Sequence, residues 1–244
     1  MIGSEGVAAR DLLSAPKFPD NGQPTPPRQW SRREIGVMPV LPDFKVSADE
    51  GSYFTGTNPT FGTGVAGPNA AAFSATSALF SLFNKAGANG GIRSYLDYIR
   101  LILTAIPTAG TRFDVAVTED FVARGSGGTA VTLSNPNEDS GNQGPITQVI
   151  YNPTVAAASA ARNVARATAK VATPVVGDEY LFVFGTVEKA ASLIASATVA
   201  GRYVVPMPPC VIGPGGMQSL LFHLWSVTSS TAPSFEFEIG LIER

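Results

Sequence analysis

Histidine occurs once in the 244 residues, as His223, and cysteine once, as Cys210. A single cysteine excludes an intrachain disulfide and any multi-cysteine metal site, so stability is expected from packing and assembly. Charged residues make up only 15% of the chain, against about 25% in an average globular protein. The formal net charge of -2 gives no global attraction to nucleic acid or to an anionic membrane. No apolar run approaches the roughly 20 residues of a membrane-spanning helix. The start, Met1-Ile-Gly-Ser-Glu5, lacks the charged-then-apolar pattern of a secretory signal. These absences predict a soluble chain made in a cytoplasm.

What replaces charge is glycine, proline, serine, threonine, asparagine and alanine, with 44% hydrophobic residues to build a core. Low charge with many turn formers predicts a β-protein, a surface buried against neighbours, or both. The clearest pattern closes the chain. Phe235, Phe237, Ile239 and Leu241 alternate with Glu236, Glu238 and Gly240, which is the period of a half-buried strand. The stretch before it sets Leu220, Phe222 and Leu224 on one face and Leu221, His223 and Trp225 on the other. Being apolar on both faces, it reads as an interior strand or one that meets a second surface. The two are expected to close a sheet and hold the C-terminus in the fold.

Upstream, residues 1–50 are expected to form an extended arm. Seven prolines between Pro16 and Pro42 forbid regular helix, and Arg28, Arg32 and Arg33 surround Trp30. A disordered leader is the plain reading. The sharper one is a segment that docks on a partner with Trp30 as anchor and the three arginines around it. Residues 51–244 are expected to form one domain. The predicted strands include residues 70–83, 93–106, 112–117, 130–133, 146–155, 162–171, 180–187 and 202–206, besides the closing pair. Residues 93–106 and 112–117, joined by Pro107-Thr-Ala-Gly110, read as a β-hairpin. Residues 189–200 fit helix or strand. Eight to ten strands spaced near ten residues predict an all-β, jelly-roll-like antiparallel β-sandwich with an extended proline-rich arm.

Candidate chemistry is sparse. His223 lies in an apolar run and reads as a packed or interface residue rather than a base. Cys210 sits between Pro209 and Val211, which should raise its pKa. No serine occupies a Gly-x-Ser-x-Gly elbow. The adjacent acidic pairs point to opposite strand faces, although Glu138-Asp139 in a polar loop is a conceivable weak calcium ligand. The glycine-rich stretches 125–128 and 213–216 lack the lysine and helix of a phosphate loop. No catalytic residue, cofactor site or metal site is expected, and the protein is not expected to be an enzyme. The face of Leu221, His223 and Trp225 is the candidate subunit contact, with cover by a long loop as the other possibility.

Taken together, Ser94–Thr104, Val175–Gly185, the block from Val211 through Trp225 and Pro233–Gly240 resemble structural proteins of tailed-phage virions. The likeness is to jelly-roll decoration, or cement, proteins of capsids, and it extends over residues 50–244. The resemblance implies a homo-oligomer, usually a homotrimer, bound to the major capsid protein or another virion protein through an N-terminal arm. It implies location in the virion and assembly in the host cytoplasm; no nucleic-acid or membrane partner is expected from the charge. It carries over no site residues. The alternative is a receptor- or carbohydrate-binding jelly-roll head of a spike or fibre, using Tyr53, Phe54, Asn58, Asn135, Asn137 and Asn142.

Overall fold

The computed structural model describes residues 47–85, 91–157, 161–185, 198–214 and 218–244. The arm up to residue 46, with Arg28, Trp30, Arg32 and Arg33, lies outside them, as does most of residues 189–200.

The strands, in chain order, begin with β1 (Tyr53–Thr57), β2 (Val65–Ala66), β3 (Phe80–Asn84), β4 (Ser94–Ala105) and β5 (Phe113–Asp120). Next come β6 (Gly125–Ser126), β7 (Thr129–Val131), β8 (Leu133–Ser134), β9 (Thr147–Tyr151) and β10 (Thr154–Val155). The remainder are β11 (Arg162–Lys170), β12 (Glu179–Phe184), β13 (Arg202–Met207), β14 (Cys210–Ile212), β15 (Ser219–Ser226) and β16 (Ser234–Glu243).

Eight of these form the frame. One sheet contains β12-β4-β16-β1 in that order, and the other contains β11-β5-β15-β3. Following the chain, β1, β3, β4 and β5 alternate between the sheets. β5 and β11 are neighbours in one sheet, and β11, β12, β15 and β16 alternate again. This double wrap is the jelly roll. Smaller strands extend the edges: β13 and β8 on the first sheet, β9 and β7 on the second. The sandwich is antiparallel except at its edge, where β13 lies parallel to β12.

The topology corrects two expectations. β4 and β5 are not a hairpin. β4 pairs with β16 and β12, whereas β5 pairs with β15 and β11 in the opposite sheet. The connecting residues 106–112 carry the chain across the sandwich, with Ala109 in the left-handed region at φ 60°. Likewise β15 and β16, the apparent closing pair, lie in different sheets. The alternation is real in β4 and β16, where it reports one buried face, whereas β5 and β15 are buried on both faces. The inward faces of both sheets share a single core. A further difference lies in residues 70–83: only Phe80–Asn84 is strand, and residues 70–78 form an irregular strap.

The core is aromatic. Tyr151 stacks on Phe237 at 4.8 Å, and Phe80 meets both edge-on. Phe182 packs against Phe222 at 4.9 Å, and Phe113 against Tyr180 and Phe235. Each such ring fully buried contributes about 1.5–3 kcal/mol of transfer free energy. The C-terminus is held as expected: Arg244 and Arg93 exchange backbone hydrogen bonds at 2.9 and 2.6 Å. Residues 47–50, assigned to the arm from sequence, begin the domain instead. Ser47 is buried, and Arg244 donates to its Oγ at 2.7 Å.

The wrap sends its loops to two ends. At one lie the β1–β3, β4–β5, β11–β12 and β15–β16 connections. At the other lie the β3–β4 and β5–β11 connections, residue 47 and the C-terminus. The first end carries Ile106, Val171, Val176 and Val199, each more than half exposed. They are drawn together by Gly177 N–H donating to Leu103 O at 2.8 Å and Glu179 N–H to Gly201 O at 2.9 Å.

Candidate functional site

The outer face of the second sheet holds the residues that matter most, because β15 is apolar there as well as inside. Leu221 packs with Ala78 and Val155, and Phe73 meets His223 and Trp225 edge-on at 5.1 and 5.7 Å. The strap formed by residues 70–78 thus covers Leu221, His223 and Trp225, all of which are buried. The cover that the sequence called for is supplied by the chain itself. Leu221 and His223 are therefore not presented to a second subunit, and only the Trp225 margin reaches an accessible surface.

Polar groups fasten the strap. Ser77 O lies 2.8 Å from His223 Nδ1, and Thr118 Oγ1 lies 3.0 Å from Nε2. A carbonyl only accepts, so Nδ1 carries the proton, and Nε2 accepts from the threonine hydroxyl. Burial pushes the His223 pKa down; the hydrogen bond to Ser77 opposes this, and the Arg124 charge adds to it. Arg124, itself buried, donates to Ala75 O at 2.8 Å and to Ala156 O at 2.7 and 3.1 Å. It ties the strap to the small β6–β10 sheet. His223 is a fully engaged structural residue.

Beside the strap the sheet is left open. A groove of about 410 Å³ runs between the strap and β11, in the size range of ligand sites. Phe73, 44% exposed, and Trp225 make its apolar corner. Ala116 and Ala165 keep the neighbouring floor low. Arg112, Asp114, Asn163 and Arg166 supply the polar lining. Arg112 donates to Asp114 Oδ2 from Nε and Nη2 at 3.1 and 3.0 Å, and Thr168 Oγ1 donates to Oδ1 at 2.8 Å. No described residue hydrogen-bonds the Trp225 indole or pairs with Arg166.

Of this lining, only Trp225 was singled out from sequence. Phe73 sits in an alanine-rich stretch that reads as strand. Arg112, Asp114, Asn163 and Arg166 come from two places in the chain, the start of β5 and β11, and look like solvated strand residues. One signal was available: Asp114 lies within Phe113-Asp-Val115, where a carboxylate on the outer face of an interior strand needs a partner.

The residues expected for a carbohydrate-binding head on the loops are placed otherwise. Phe54 is a core residue. Tyr53 donates to Asp97 Oδ2 at 2.7 Å on the outer face of the first sheet. Asn58 holds its own turn through Thr60 O and Thr63 O. Asn135 donates to Gly51 O and Asn142 O, while Asn137 and Asn142 reach Asp49 O and Gly51 O. Their amides build the loop rather than present it. Glu138 and Asp139 are exposed on that loop, and no group of three potential metal ligands occurs among the described residues. Cys210 is buried, and burial pushes its thiol up to about 12, as its apolar neighbours led one to expect.

Comparison of the chain with protein-family models, with curated proteins and with solved structures finds no match. The jelly roll therefore stands on the strand order.

Proposed function

We propose that this chain is a non-enzymatic structural protein of a phage virion, which decorates or cements the capsid through its arm and subunit contacts. The observation that carries this reading is the two-ended jelly roll. The fold is one that viral capsid domains share with lectins and cupins. Its apolar loop tip, with Ile106, Val171, Val176 and Val199, lies opposite the end where residue 47 enters the sandwich. A domain with an anchoring segment at one end and an apolar contact at the other can link two bodies.

In this reading the arm binds the major capsid protein or another virion protein, with Trp30 in a pocket and Arg28, Arg32 and Arg33 at acidic or carbonyl acceptors around it. Ordering such a segment costs about 1–2 kcal/mol per residue. Proline restricts the free state and lowers that cost. A buried tryptophan with a few aliphatic side chains offsets part of it, at about 25 cal/mol per Å². The partners at the tip are two further copies, giving the homotrimer.

The test is deletion of residues 1–45. The sandwich is expected to stay folded, with an unchanged β-type circular dichroism spectrum, while incorporation into particles is lost. Wild-type occupancy of capsids by the truncated chain would refute the arm as anchor. The second reading, a receptor-binding head, is favoured only by the groove on the outer sheet face. Electron microscopy of particles separates the two readings: a decoration protein covers the shell, whereas a head sits at the tail or on protruding tips.

A further inference from the structure

We propose that the groove beside the strap is a saccharide site selective for a sugar that carries a carboxylate, of the uronic-acid class. Three features of the groove converge on this chemistry. Phe73 and Trp225 stand at 67° to one another, so they form a corner rather than parallel walls. A corner of this kind takes the C–H face of a pyranose against one ring and leaves the sugar edge free.

Opposite the aromatic corner sits a fixed hydrogen-bonding pair. Asp114 is held in place by Arg112 and Thr168, and three of the roughly four acceptor positions of its carboxylate are taken. The remaining position on Oδ1 accepts from a sugar hydroxyl, and the outer N–H groups of Arg112 donate to the next. Because the pair is already ordered, binding does not have to immobilise it. Asn163 adds an amide with both donor and acceptor capacity at the rim.

The charge decides the class. Arg166 lines the groove and pairs with no described residue. Arg112 is balanced by Asp114, so Arg166 leaves the groove with one uncompensated positive charge. A carboxylate-bearing ligand meets it in a charge-assisted pair. Sugar binding does not require the capsid role, and it is measured on the isolated full-length protein.

The experiment is ligand-observed saturation-transfer NMR with D-glucuronate, set beside neutral methyl β-D-glucopyranoside and a nucleoside monophosphate. Glucuronate is expected to receive saturation, strongest at its ring protons. Its affinity is expected to fall at least fivefold in Arg166→Ala and to be lost in Phe73→Ala. Arg166 is exposed, and an unchanged melting temperature shows that Arg166→Ala is folded. Phe73 also covers the His223 ring, so Phe73→Ala is expected to melt lower, and its binding is read below its own transition, where a single cooperative melting curve shows that it is folded. The proposal is overturned if glucuronate does not bind, if the neutral glucoside binds as well, or if the nucleotide binds better. Undiminished binding in either variant overturns it too. Retention of capsid incorporation by Arg166→Ala would show that the two functions are separate.

Discussion

At the scale of single residues, His223 shows how a lone histidine on an apolar strand is used. Its ring is sealed under Phe73 and satisfied at both nitrogens, and burial lowers its pKa below the ordinary 6.5. In the unfolded chain it titrates near 6.5. Below that pH the unfolded state therefore binds the extra proton first, and stability falls as pH drops from about 6.5 toward the folded pKa. The stability is fully present above 6.5. The melting temperature is expected to drop between pH 7.5 and 5.5 in the wild-type protein, and to drop less in His223→Gln. Equal drops in both would show that the imidazole does not carry this dependence.

At the scale of elements, the β11–β12 connection is pinned by an ion pair without solvent contact. Lys170 Nζ lies 2.7 Å from Asp178 Oδ2, and both side chains are fully buried. Asp178 also accepts from Val175 N–H at 2.8 Å, Tyr180 Oη at 3.0 Å and Gly201 N–H at 2.9 Å. Lys170 has in addition the Tyr203 ring, 5.3 Å from Nζ to its centre. Removing one partner leaves a buried charge, at a cost of about 3–5 kcal/mol. Asp178→Asn is expected to cost at least as much as Lys170→Met, since the ammonium keeps only the ring while the carboxylate would keep three donors. The double variant should lose less than the sum of the two, as read from urea unfolding. Additive losses would mean that the pair is not coupled. A buried pair should also respond little to salt, which screens exposed charges far more.

At the scale of the whole molecule, the apolar tip sets the expectation for assembly. Four aliphatic side chains on three connections, each more than half exposed, gather at one end, and gathered exposed apolar groups of this kind mark contact sites. Each is already partly buried, so sealing it contributes roughly 1 kcal/mol, and the four together about 4 kcal/mol toward a subunit contact. The wild-type domain is expected to sediment as an oligomer at micromolar concentration. Val171→Glu with Val176→Glu is expected to sediment as a monomer with little change in melting temperature, since neither residue supports the core. A monomeric wild type would remove the tip from consideration as a self-contact.

The class of fold and the inward faces were legible in the residues alone. Strict alternation in Phe235–Leu241 and the two-faced pattern of Leu220–Trp225 each report how many sides of a strand are buried, and both patterns are local. The neighbours of Cys210 likewise foretold its buried, unreactive thiol. Which strands pair is set by long-range packing, not by any local pattern. Both sheets face one core, so the same inward pattern fits either sheet, and the apparent hairpin of β4 and β5 becomes a crossing. Tertiary structure also decided that the outer face of β15 is covered by residues 70–78, a segment more than 140 positions away in the chain. The groove follows from that cover. Its lining comes from the strap, β5, β11 and β15, and nothing in the local pattern of any one of these could bring Phe73, Asp114, Arg166 and Trp225 together.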